Sequence, residues 1–221
     1  MPGAEAVLFD LDGVLADTAH LHFRAWQRLA DDLGFTLATA VNERLKGVSR
    51  MAALEIVLAE AGRSFSEAEK SDLAARKNAC YREMIAGVGP RDLLPGAWAA
   101  LEACRARGLK IALASASRNA PELLERLGIA FFFDFVADAG AVQHAKPAPD
   151  IFLAAAAGLG VPPARAVGIE DAVAGVAAIK AAGMFAIGVG DPALLGAADI
   201  VIPAIAAFDP ARHLPRALSQ E

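Results

Sequence analysis

Five short runs rich in β-forming residues set the frame of this chain: AVLF (6–9), KIALAS (110–115), FVAD (135–138), AVGI (166–169) and FAIGV (185–189). Their apolar residues fall at consecutive rather than alternate positions, the pattern of strands buried on both faces of a parallel sheet. Between most of them the periodicity is helical. PGAWAALEACRARG has Pro95 near its start and Gly108 at its end, and APELLERLG and PDIFLAAAAGLG close on Gly128 and Gly160. Glycine ends helices because it adopts the left-handed conformation without a steric penalty. Strand alternating with helix predicts an α/β fold with a doubly wound parallel sheet. The most apolar stretch, AVAGVAAIKAAGMFAIGVG, is broken by Lys180 and several glycines. It reads as helix, turn and buried strand rather than a membrane span.

Residues 17–88 interrupt the alternation, with helical patterns only. HFRAWQRLADDLG puts Phe23, Trp26, Ala30 and Leu33 on one face, closed by Gly34. SRMAALEIVLAEAG is a second helix with Ser49 as N-cap, and SEAEKSDLAARKNACYREMIAG a third, in which Ser66 and Glu69 form a capping box. The chain therefore divides into a core, 1–16 with 89–221, and an all-helical insert, 17–88. An insert at this point can fold over the C-terminal end of the first strand, where open α/β sheets bind ligands.

Composition narrows the partners. Net charge is −5, which gives no general attraction for nucleic acid or an anionic membrane. A small anionic substrate would need local basic residues or a metal. Cys80 and Cys104 lack CxxC spacing, and free thiols suit a reducing compartment; with no basic segment leading into a long apolar run at MPGAEAVLFD, the cytoplasm is expected. Nothing in the pattern requires more than a monomer.

The chemistry concentrates at strand ends. VLFDLDGVLADT carries Asp10, Asp12 and Asp17. Positions i and i+2 of an extended chain point the same way, so Asp10 and Asp12 can face one site. Two such carboxylates repel unless a cation lies between them, and a hard divalent ion, Mg²⁺, resolves the conflict; the bland alternative is a pair of helix-capping aspartates. GIEDA ends another strand with Glu170 and Asp171, alternatively an N-capping pair. ALASASRN ends a third with Ser115, Ala116, Ser117, Arg118 and Asn119; hydroxyls and amides there suit a phosphate, or a plain N-cap. In HAKPAPDIF, Pro147 keeps Lys146 out of helical geometry, where it can neutralise a phosphate or stand exposed as a surface lysine. Each signal is weak alone; all four fall at predicted strand ends.

Read in order, D-L-D-G-V-L-x-D-T, S-x-S, K-P-x-P-D and E-D resemble the haloacid dehalogenase-like superfamily over essentially the whole chain. The helical insert resembles the cap of its phosphoglucomutase-like group, and LKGVSR with ALASASRN and GIEDAVAGVAAIKAAG resembles the β-phosphoglucomutases within it. The resemblance implies Asp10 as nucleophile, forming an aspartyl-phosphate, and Asp12 as general acid/base. It implies one Mg²⁺ held by Asp10, the Asp12 carbonyl and the Glu170–Asp171 pair, with Lys146, Ser115 and Ala116 around the transferring phosphoryl group. The implied reaction interconverts β-D-glucose 1-phosphate and glucose 6-phosphate through a 1,6-bisphosphate. A sugar-phosphate phosphatase on the same scaffold is the alternative, and a non-catalytic binding protein is disfavoured by the intact carboxylates.

A bisphosphate needs a second, basic subsite. The loop Lys46, Gly47, Val48, Ser49, Arg50 supplies one, because arginine binds phosphate bidentately; the alternative is a solvated basic turn. His22 and Lys77 also match the pattern, His22 otherwise packing near Trp26 and Lys77 otherwise standing solvated. Asp17 and Thr18 begin the hinge, and Thr18 can instead cap the first insert helix. Arg118 stands where a lysine is usual, and Ala145 and Ala172 where small hydroxyl residues are usual; His144 has no assigned role.

Overall fold

The computed structural model describes residues 3–215. Along the chain come β1 (Ala6–Phe9), α1 (Ala19–Asp32), α2 (Asn42–Leu45), α3 (Arg50–Leu58), α4 (Glu67–Ile85), α5 (Ala97–Ala106) and β2 (Lys110–Leu113). There follow α6 (Ala120–Leu127), β3 (Phe135–Val136), α7 (Asp150–Leu159), β4 (Ala166–Glu170), α8 (Val173–Ala181), β5 (Phe185–Val189), β6 (Ile200–Ile202) and α9 (Pro210–His213). The strands form one sheet in the order β3-β2-β1-β4-β5-β6, every neighbouring pair parallel.

Burial on both faces explains the unbroken apolar runs. In β1, Val7 and Phe9 join one layer, with Leu101 of α5 and Leu123 of α6. Ala6 and Leu8 join the other, with Phe152 of α7 and Ile179 of α8. Each large side chain so buried contributes about 1.5–3 kcal/mol, and truncating Phe9 to alanine is expected to cost about 3–5 kcal/mol.

The register places the chemistry. Phe9 pairs with Leu113 on one side and Ile169 on the other, so the ends of β1, β2 and β4 are level. The Ala114 amide donates to the Phe9 carbonyl (2.8 Å) and the Asp10 amide to the Ile169 carbonyl (3.0 Å). Asp10, Ser115 and Glu170 therefore emerge together. β2 and β4 flank β1 on opposite sides, which opens a crevice at that point of the sheet.

Two strands are shorter than their apolar runs: KIALAS is extended only to Leu113, and FVAD only over Phe135–Val136. The sequence pattern does not reveal β6, since an edge strand of three residues, two of them half-buried and only Ile202 buried, has no sustained periodicity.

Among the described residues of the insert there are helices and no strand. It has its own apolar cluster, in which Phe23, Trp26, Ala30 and Leu54 are buried and Leu33 packs against them, the face read from the sequence. The expected caps are present. Ser49 Oγ accepts from the Ala52 amide (3.2 Å), and Ser66 and Glu69 form the capping box on α4. The two connections to the core run side by side: the Asp17 amide donates to the Asp92 carbonyl (2.9 Å) and the Leu94 amide to the Leu15 carbonyl (2.9 Å).

Candidate active site

A cavity of about 590 Å³ lies between the sheet's C-terminal edge and the helical insert. Its floor is built on β1 and β4. Asp10 and Asp12 both line it, as the i, i+2 spacing predicts, and Asp171 joins them. Gly13 makes that approach possible. Its φ is +86°, and a Cβ there would stand 2.2 Å from Asp171 Oδ2, so only a bare Cα fits.

Lys146 and Glu170 sit beneath the floor, both buried. Lys146 Nζ donates to Asp10 Oδ1 and to Glu170 Oε1, each at 2.6 Å, and Glu170 Oε2 accepts from the Ala172 amide (2.8 Å). Gly175 lacks the Cβ that would otherwise lie 1.9 Å from the Glu170 carboxyl carbon. Lys146 is thus neither a surface lysine nor a wall of the cavity; it is the counter-ion of the carboxylates. Glu170 has both oxygens committed, so it does not present a free ligand oxygen here.

Charge is left over. Asp10 and Glu170 share one ammonium, and Asp171 makes no hydrogen bond or ion pair among the described residues. Burial, with the Glu170 and Asp10 charges added, pushes the Asp171 carboxyl up to about 8. Burial likewise raises Asp10 to about 7, with Lys146 pulling down and Glu170 and Asp12 pushing up. Among the described residues no three carboxylate, imidazole or thiolate side chains form a ready cation cage. The unpaired Asp171, beside Asp10 and with oxygen donors only, still fits a hard divalent cation that takes a few protein ligands and completes its shell from water or phosphate.

Asp12 has different company. Thr18 Oγ1 donates to Asp12 Oδ1 (2.6 Å), and His22 Nε2 lies 3.7 Å from Oδ2. Burial opposes ionisation of Asp12, but the His22 contact and the Thr18 hydroxyl outweigh it and hold the carboxyl below the usual range. Thr18 stands at the N-cap position of α1 without capping it by its side chain; its hydroxyl orients Asp12 instead. Asp17, read beside Asp10 and Asp12 in the sequence, is exposed and pairs with His20 (3.4 Å), outside the cavity.

Lys77 is a clear correction to the solvated reading. It is buried, with Nζ 2.9 Å from His22 Nδ1 and over the rings of Trp26 and Tyr81. Burial, then the Arg50 charge, lowers Lys77 to about 7. Burial and Lys77 also lower His22, which stacks on Tyr81 at 3.9 Å rather than on Trp26. With Nδ1 accepting from Lys77, the imidazole proton sits on Nε2, facing Asp12.

The upper wall is basic. Lys46, Gly47, Val48, Ser49 and Arg50 line it from the insert, as do Ser115, Ala116, Ser117, Arg118 and Asn119 from the core. The hydroxyls cap their own loop: the Ser117 amide donates to Ser115 Oγ (3.1 Å) and the Asn119 amide to Ser117 Oγ (3.3 Å). Lys46 is paired with Glu43 at 2.9 Å. Arg50 and Arg118 have no hydrogen-bond or ion-pair partner among the described residues. Their nearness lowers Arg50, after burial.

Sequence reading missed Asn78, which lines the cavity and accepts from Asn119 Nδ2 (3.0 Å). Ser71, Ala74, Ala75 and Asn78 recur at i, i+3, i+4 and i+7, a small and polar stripe that could have pointed to it. Ala145 lines the wall, while exposed His144 is turned to Asp150, its amide donating to Oδ1 (3.0 Å) and its Nδ1 lying 3.2 Å from the same oxygen.

A model of the haloacid dehalogenase-like hydrolases matches residues 4–183. The chain is 47% identical over 200 residues to a β-phosphoglucomutase of Bacillus subtilis strain 168, covering 90% of this chain and 88% of that one. It is 34% identical over 183 residues to a phosphorylated carbohydrates phosphatase of Thermotoga maritima, covering 81% and 82%. The crystal structure of a β-phosphoglucomutase from Clostridium difficile matches with a TM-score of 0.90 at 44% identity, over 93% of each chain.

Proposed function

The chain belongs to the haloacid dehalogenase-like hydrolase family, and we propose that it is a β-phosphoglucomutase, interconverting β-D-glucose 1-phosphate and glucose 6-phosphate. One observation carries the choice within the family. The cavity joins Asp10, where a phosphoryl group would react, to the unpartnered guanidiniums of Arg50 and Arg118, which can hold a second one. A monophosphate fills one of these places; a sugar 1,6-bisphosphate fills both.

Asp10 is the nucleophile, and attack on phosphorus gives an aspartyl-phosphate with loss of the sugar oxygen. Asp12, held ionised, enters as base. It takes the proton of the sugar hydroxyl that attacks the aspartyl-phosphate. After the bisphosphate turns over, it returns that proton to the sugar oxygen released when Asp10 attacks the other phosphate. Thr18 and His22 hold the Asp12 carboxylate in place for both transfers. Asp10, Asp171, the Asp12 main-chain carbonyl and Glu170, once Lys146 yields its oxygen, are the groups that would hold Mg²⁺. The ion, when bound, supplies positive charge between a carboxylate and a phosphoryl group. The insert, 17–88, acts as a cap that excludes water while the phosphoenzyme waits, with Asp17 and Thr18 at the hinge. No helix of the described residues is long and apolar enough to cross a membrane. The free thiols of Cys80 and Cys104 suit a reducing compartment, and on that ground we place the enzyme in the cytoplasm; we propose that it acts as a monomer.

The test is a coupled assay with β-glucose 1-phosphate, Mg²⁺ and a trace of the bisphosphate, with free phosphate followed in parallel. Glucose 6-phosphate is expected to form faster than free phosphate. Phosphate release outrunning isomerisation would make the protein a sugar-phosphate phosphatase, and no glucose 6-phosphate would reject the mutase.

A further inference from the structure

Two helices from opposite sides of the cavity meet in a polar seam. On α4, Asn78 and Arg82 stand one turn apart; on α6 and its N-terminus stand Asn119 and Glu122. Arg82 reaches Glu122 at 3.4 Å from an exposed position, whereas the Asn78–Asn119 hydrogen bond (3.0 Å) is half-buried and lies on the cavity wall. The main chain of Asn119 is fixed from the core by Ser117 Oγ (3.3 Å). Its carboxamide is fixed by Asn78 alone among the described residues, through one of its two N–H donors.

The remaining amide groups have no partner. The second N–H and the Oδ1 of Asn119, and the Nδ2 donors of Asn78, make no hydrogen bond among the described residues. They line the same cavity as Arg50 and Arg118. One guanidinium belongs to the insert and one to the core, and so does one carboxamide of each pair.

We propose that Asn78 is a specificity-determining positioning residue: its bond to Asn119 joins insert to core at the second anion subsite and sets the donors that distinguish a sugar bisphosphate from a monophosphate. The inference rests on the bisphosphate reading of the cavity. It assigns α4 a part in recognising the second phosphate, beyond its contact with His22 through Lys77.

The test uses the full chain carrying Asp10→Asn, which binds without turnover, titrated calorimetrically with β-glucose 1,6-bisphosphate and with β-glucose 1-phosphate. Adding Asn78→Ala is expected to weaken the bisphosphate about fivefold, the size of one lost hydrogen bond, and the monophosphate less than about twofold. In an Asn119→Ala background, Asn78→Ala should add less than about twofold, because the two residues act as one unit. Alanine favours helix at this position, so folding should survive; Asn78→Ser is the second variant, with the same expectation. Unchanged bisphosphate affinity, equal losses for both ligands, or fully additive losses in the double variant would overturn the proposal. A failed mutase reading shows separately, as wild-type protein that makes no glucose 6-phosphate.

Discussion

The two walls of the cavity solve opposite problems. On the core side, buried charges meet each other: Lys146 touches Asp10 and Glu170 at 2.6 Å, and Thr18 touches Asp12 at 2.6 Å. Asp10 and Glu170 stand at level strand ends, so the backbone register sets their separation; Lys146 reaches both from the loop before α7, and Thr18 reaches Asp12 from the start of α1. Across the cavity, Arg50 and Arg118 have no partner, and the lysine that is buried there meets a neutral ring rather than a carboxylate. The core wall is assembled before substrate arrives. On the facing wall Lys46 already has Glu43, but the counter-charge for Arg50 and Arg118 must come from the ligand. Preorganisation belongs where the phosphoryl group moves; unsatisfied charge belongs where a phosphate only needs to be held.

The sharpest way to break this contrast is Asp10→Asn. If the core wall carries the chemistry, turnover falls by about 10⁴-fold or more, because an amide does not form the aspartyl-phosphate, while calorimetry still records bisphosphate binding. Residual turnover near wild type would remove Asp10 from the reaction. Lys146→Met comes next. It leaves Asp10 and Glu170 facing each other without their counter-ion, so chemical denaturation should record a loss of about 3–5 kcal/mol. A loss below about 1 kcal/mol would mean that the core wall is not held by that pair.

The same contrast explains what could be read from sequence. The core wall was legible because its logic is one-dimensional: apolar runs end in carboxylates, and a parallel sheet brings such ends together. Asp10, Asp12 and Asp171 meet for that reason. Asp17 was not separable from them on the page, since only the turn after Gly13 sends it outward to His20. Thr18 was ambiguous because a hydroxyl before a helix is ordinarily a cap, and only the fold shows it beneath Asp12. The facing wall depends on how helices pack, and there the reading faltered. Leu73, Lys77, Tyr81 and Ile85 repeat at intervals of four and are all buried. That stripe is visible in the sequence, but it leaves Lys77 open between a place near the substrate and a solvated one, since a buried ammonium is rare without an acidic partner. Glu170 shows the converse limit, since its role as a ligand or as support for Lys146 turns on which oxygen is free.

Arg50 tests the facing wall directly. Arg50→Ala should raise the KM for the bisphosphate roughly 10- to 100-fold with little change in kcat, the signature of lost binding shared by ground and transition states. Arg50→Lys should recover only part of it, because a point charge does not replace a bidentate fork. A fall in kcat at constant KM would move Arg50 from holding the ligand to the chemistry.

The smallest effect is the most diagnostic of the uncompensated wall. Lys77 titrates at about 7 in the fold, against an ordinary 10.5, through burial and the Arg50 charge. Between those values the unfolded chain binds more protons than the native one, so this group's contribution to stability rises with pH. Below pH 7 the buried cation exacts its full penalty; above about 10.5 it exacts none. Lys77→Met should therefore stabilise the unliganded protein most at pH 6, by on the order of 1 kcal/mol once the lost bond to His22 is set against it, and the advantage should shrink toward pH 10. Urea titrations of both proteins across that range decide it. A difference that grows with pH would mean that Lys77 is compensated after all, and that the facing wall is as fully paired as the core.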